Sequence, residues 1–198
     1  MDRMREGETP RKSQRMSGRF VTSARSAGYR LVVAVSALWM AAAAHADPGA
    51  EYQVKASYLY NFTQFIEWPR DVLRPGSPFR ACVVGARRFG DALAALARER
   101  VGGRPIEITP LEHAAQAYGR GCHMLYIDAG EGEGDVPAAR GLLTVGESPG
   151  FLERGGLINL VRVDGQIRFA ISKRAAERAG LIVSAQLLQL SVNAGGDS

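Results

Sequence analysis

The chain has 198 residues, with 25 Lys+Arg against 20 Asp+Glu and a formal net charge of +5. The excess is local: residues 1–46 carry eight basic and three acidic side chains, while the other 152 carry seventeen of each. That distribution excludes a nucleic-acid reading built on whole-chain charge. The one long apolar run, fourteen residues at 31–44, falls short of the roughly 20 needed to span a bilayer.

The N-terminal segment reads as an export signal. A basic stretch through Arg25 and Arg30 precedes the apolar run, and Ala44-His45-Ala46 supplies small residues at the two positions a signal peptidase reads. Cleavage is expected after Ala46, leaving residues 47–198 as a single domain without membrane insertion. The basic region is long, so either Met1 or Met16 is the start. No twin-arginine pair precedes the apolar run, and no lipidation cysteine sits at the cleavage site.

In chain order, residues 51–67 show helical spacing at Val54, Tyr58, Leu59, Phe62, Phe65 and Ile66, and Pro69 ends the helix. Residues 79–84 form a short β-type run, followed by an Ala/Leu-rich helix over 89–97. Ile106–Ile108 is a second strand, 112–118 a short helix, and 122–127 an apolar and therefore central strand. This alternation predicts right-handed crossovers and a mostly parallel sheet. Residues 128–137 are acidic and Gly-rich, too polar to pack, and 141–145 is a fourth strand. Asp164-Gly165 between two β-runs is a hairpin signal, pairing Leu160 with Phe169 and Arg162 with Ile167. The last helix is predicted over 173–191, with Leu181, Ile182, Ala185, Leu187 and Leu188 buried and a bend or close contact at Gly180. The fold class is α/β: one domain, a mixed and mostly parallel sheet flanked by helices, with a C-terminal hairpin and helix.

Cys82 and Cys122 are the only cysteines. In an exported chain the pair reads as a disulfide rather than a metal or redox-active site. Arg87 and Arg88 follow the first strand and precede a helix, where parallel sheets bind anions. They are a candidate ligand site, against the alternative of an ordinary βα turn. Ser148 lies in a Gly-rich loop, but Glu147 and Pro149 break the nucleophile pattern, and neither His113 nor His123 is paired with an acid in a catalytic arrangement. No metal-ligand spacing and no cofactor fingerprint is present. The loop 146–154 and the hairpin suggest a contact surface carrying Phe151, Arg154, Arg162 and Arg168.

Four segments together resemble the YfiR-like family of periplasmic regulators. They are residues 52–69, Cys122–Ile127, Leu143–Glu147 with Gly150-Phe151 and Gly155–Asn159, and Ala179–Leu190. The resemblance spans about residues 51 to 191. It implies a periplasmic regulator without cofactor or catalysis that binds the periplasmic domain of an inner-membrane diguanylate cyclase. Such a regulator would hold down cyclic-di-GMP synthesis and biofilm formation. An outer-membrane lipoprotein that sequesters it is a second implied partner, and a homodimer is a further expectation. Cys82 and Cys122 match the family's strand-to-strand disulfide. The chain departs from the pattern in lacking a second cysteine pair near the hairpin and in a short 128–142 segment, which predicts a lost crossover helix. The competing reading is a periplasmic module for a small anion or aromatic metabolite that feeds another sensor such as a histidine kinase. A hydrolase using Ser148 is the third.

Overall fold

Local chemistry sets the first helix, α1 (Pro48–Gln64). A proline tolerates the first turn, where its missing N–H is not needed, and Glu51 complements the positive end of the helix dipole. The computed structural model describes residues 48–131 and 134–193. The expected signal segment, its cleavage site, Glu133 and the last five residues lie outside them. α1 buries Ala56, Leu59 and Phe62 against the sheet, while Val54 points to solvent, contrary to its place in the apolar spacing. The helix stops earlier than expected, and Ile66–Glu67 form a short strand, β1.

The main sheet contains β2 (Phe79–Val84), β3 (Arg100–Val101), β4 (Arg104–Leu111), β5 (Met124–Ile127), β6 (Leu143–Gly146), β7 (Ile158–Val163) and β8 (Gln166–Ile171), in the order β3-β4-β2-β5-β6-β7-β8. Strands β4, β2, β5, β6 and β7 run parallel, and β3 and β8 add antiparallel flanks. β5 and β6 are buried throughout and β2 nearly so, as expected of strands covered on both faces. β4 lies toward one edge, where Pro105 and Pro110 are tolerated. The expected mixed, mostly parallel α/β architecture is therefore present.

One face is covered by α1 and by α2 (Asp91–Leu96), which follows a 3-10 turn at Ala86–Arg88. On the other face, α3 (Ala117–Arg120), Val136 and Phe151 pack over Cys82, Val84, Leu125 and Ile127. The described residues between β5 and β6 form no helix, in line with the short segment there. Cys82 in β2 and Cys122 ahead of β5 form the expected disulfide, with Cα atoms 5.8 Å apart.

The hairpin has the predicted register, Leu160 opposite Phe169 and Arg162 opposite Ile167. The predicted final helix is instead two helices, α4 (Lys173–Ala179) and α5 (Ala185–Leu190). Gly180 adopts a left-handed conformation at φ 67°, and a side chain there would meet the Arg140 guanidinium. The chain then forms β9 (Ile182–Val183), which pairs antiparallel with β1, and restarts at Ser184, whose side chain accepts from Leu187 N. Leu181 and Leu187 are buried as expected, whereas Ile182 and Ala185 face solvent because the break rotates them outward.

The outer edge of β8 is occupied by the chain itself. The Tyr58 hydroxyl donates to Ile167 O and Val192 N to Phe169 O. The Asn193 carboxamide accepts from Ile171 N at 3.0 Å and donates to Ile171 O at 2.9 Å.

Candidate functional site

The C-terminal ends of β2, β5 and β6 lie side by side, and the chain leaves β2 toward β4 but leaves β5 toward β6. Such a divergence opens the crevice where parallel sheets commonly hold ligands. Here side chains fill it. Asp128 follows β5 directly and is completely buried. Its carboxylate accepts from the Tyr52 hydroxyl at 3.1 Å, the Tyr126 hydroxyl at 3.0 Å and Arg88 Nη1 at 2.8 Å. Gly85 makes room for it: φ is 86°, and an added Cβ would stand 2.6 Å from Asp128 Cβ.

Lys55 comes from α1 and is 4% exposed. Its Nζ sits 2.9 Å from Glu51 Oε1 and 2.8 Å from Glu147 Oε2, and 4.3 Å over the Tyr52 ring. Tyr126, wholly buried, places the same hydroxyl against Glu147, so its single proton is shared between the two carboxyl groups. At the rim, Arg162 Nη2 from the hairpin reaches Glu51 Oε2 at 2.7 Å. Three carboxylates thus face three cations. Tyr52, Phe89 and Tyr126 back the group as consecutive edge-on rings at 4.9 and 5.0 Å.

The protonation states follow from these contacts. Burial pulls the Lys55 ammonium toward deprotonation, but its bonds to Glu147 and Glu51 outweigh this and raise its pKa. The Lys55 bond, opposed by burial and supported by Arg162, holds the Glu51 carboxyl below its ordinary value. Burial and then the Glu147 and Asp128 charges push the Tyr126 phenol far up, so it remains a neutral donor. Each acid and base here is committed to a partner, which suits a structural clasp between α1, the loops after β2, β5 and β6, and the hairpin. Among the described residues, no group of three His, Cys, Asp or Glu is placed to hold a metal ion.

The predicted site residues are distributed differently. Arg88 is anchored on Asp128 and on Ala129 O at 2.8 Å, and both it and the neighbouring Arg87 are exposed. Phe151 is 1% exposed, which corrects its assignment to a contact surface. Its ring lies between Gly146 and Gly156, where an added Cβ would stand 2.3 and 2.1 Å from ring carbons. Arg154 Nη1 donates to Pro149 O inside the same loop. Arg162 is tied to Glu51, and Arg168 is exposed on the opposite face of the hairpin. His123 accepts from Arg80 N at 2.9 Å and stacks on Phe79, a packed histidine. Sequence reasoning missed Lys55, Asp128 and Glu147. Two signals pointed to them: a lysine four residues after Glu51 amid aromatic residues, and an aspartate closing an apolar strand.

The model of the YfiR/HmsC-like family matches residues 52–192. The chain belongs to this family. The match takes in α1 from Tyr52, the whole sheet, the disulfide and the charged clasp apart from Glu51. Among solved structures, the chain is similar to a conserved domain protein from Vibrio cholerae at 14% identity and a TM-score of 0.39. That likeness covers 62% of this chain and 56% of the other, just over half its length. No curated protein matches.

Proposed function

We propose that this YfiR/HmsC-like protein is a periplasmic regulator rather than an enzyme. It binds the periplasmic domain of an inner-membrane diguanylate cyclase and lowers cyclic-di-GMP output and biofilm formation. Family membership over residues 52–192 carries the reading. Export with cleavage after Ala46 is part of the proposal, and mass spectrometry of the envelope-fraction protein should give a mature chain beginning at Asp47.

The contact surface we propose is the hairpin, with Arg162 at the rim of the clasp, Arg168 on the other face, and Arg154 in the adjoining loop. An outer-membrane lipoprotein would act as a competing partner, and self-association as a homodimer is checked by light scattering. The deciding experiment is a clean deletion with a complemented control. Intracellular cyclic-di-GMP rises in the deletion and returns on complementation. An unchanged level in the deletion would break the assignment.

A further inference from the structure

Between the first turns of α1, the loop after β6 and the hairpin lies a cleft of about 480 Å³. That is within the usual size of a small-molecule site. Its polar lining is Glu51, Tyr52, Lys55, Glu147, Asn159 and Arg162, with Leu160, Val161 and Ile167 supplying apolar wall. The inventory is rich in acceptors: two carboxylates, an aromatic face, and the Asn159 carboxamide oxygen, which is buried without a hydrogen-bond partner. The Lys55 ammonium is already held between both carboxylates.

The remaining cation, Arg162, differs in kind. It arrives from the hairpin, 111 residues away in sequence, and its side chain is 56% exposed. Its one strong contact is Glu51 at 2.7 Å, and its remaining hydrogen bond, to Gly165 O at 3.4 Å, stays within its own turn. Exposed ion pairs of this type are weak, so an incoming cation can displace the guanidinium without burying any net charge.

We propose that this cleft binds a small organic cation carrying a primary amine or guanidinium, and that Arg162 is an internal competitor for the same place. The ligand's N–H groups take Glu51 and the acceptors behind it, its carbon chain lies on Leu160, Val161 and Ile167, and Arg162 is released. Binding therefore breaks the ion pair between the hairpin tip and α1, while the Tyr58 and Phe62 contacts to the hairpin remain. This inference does not rest on the partner proposed above, because it is read on the purified protein alone.

The test is calorimetric titration of agmatine and of putrescine at low ionic strength, with propionate as an anionic probe. Arg162→Ala binds agmatine up to about fivefold more tightly than wild type, since the competitor is gone. Arg162→Lys keeps a cation at that position and stays within about twofold of wild type. Glu51→Gln weakens binding at least about fivefold. Weaker or unchanged binding in Arg162→Ala, saturation by propionate, or no heat from wild type and Arg162→Ala at millimolar amine would overturn the proposal. Because Arg162 is a surface side chain, its variants remain informative even where Glu51→Gln impairs folding.

Discussion

The parallel strands β2, β5 and β6 are closed in opposite ways at their two ends. Where they begin, closure is aromatic: Trp68 stands edge-on to Phe79 at 5.1 Å, and Phe79 stacks on His123 at 5.4 Å. The Trp68 indole donates to Gly141 O at 3.0 Å, and burial keeps the His123 imidazole below its ordinary pKa and hence neutral. Where the strands end, Asp128, Glu147 and Lys55 are closed by ion pairs and two rim arginines. Aromatic closure draws on apolar burial and tolerates changes of solvent. Ionic closure balances desolvation against attraction, so it fails when one partner is lost. The fold thus keeps its adjustable chemistry at one end of the sheet.

The largest effects belong to the charged end. Lys55→Ala leaves the partly buried Glu51 and Glu147 carboxylates without their shared, buried ammonium and costs about 3 kcal/mol in urea unfolding. A loss below about 1 kcal/mol would show that water replaces the ammonium and that the contrast is false. At the opposite end, Cys82→Ser or reduction lowers stability by about 2–4 kcal/mol without changing any activity. Free thiols on native protein would contradict the bridge.

Smaller effects sharpen the comparison. Gly156→Ala forces the Phe151 ring to move and costs about 1–3 kcal/mol. An unaffected midpoint would mean that the loop after β6 repacks freely. Because the Glu51 pKa is lowered on folding, its stabilisation is complete above the unfolded value of about 4.3 and fades as pH falls through the folded value. Melting temperatures of wild type and Glu51→Gln should therefore converge as the pH drops below about 4, with wild type the steeper. Parallel curves would remove Glu51 from the clasp. Finally, Arg168→Glu leaves stability within about 0.5 kcal/mol but abolishes repression in the complemented deletion. Intact repression would move the contact surface elsewhere.

Much of the scaffold was legible in the sequence, because strands covered on both faces read as apolar runs and Asp164-Gly165 fixes one register. The break at Gly180 was only half legible. Helical periodicity continues across 173–191, and tertiary pairing of β9 with β1 overrides it. The clasp was harder still, because Lys55, Asp128 and Glu147 are separated by 73 and 19 positions and meet only through the topology. Phe151 was misread for a related reason. An aromatic residue in a Gly-rich loop looks exposed until the glycines prove to be the two walls of its slot.

Asn193 presents its side-chain amide to Ile171 much as a neighbouring strand would present its backbone. Shortening the chain to end at Ser191 would strip that mimic from β8 and free Phe169 O and both backbone groups of Ile171. An uncovered edge of this type templates addition of further strands. The turn at Val192-Asn193 therefore guards this edge, and removing it, or replacing Asn193, should favour strand addition between copies over a merely less stable domain.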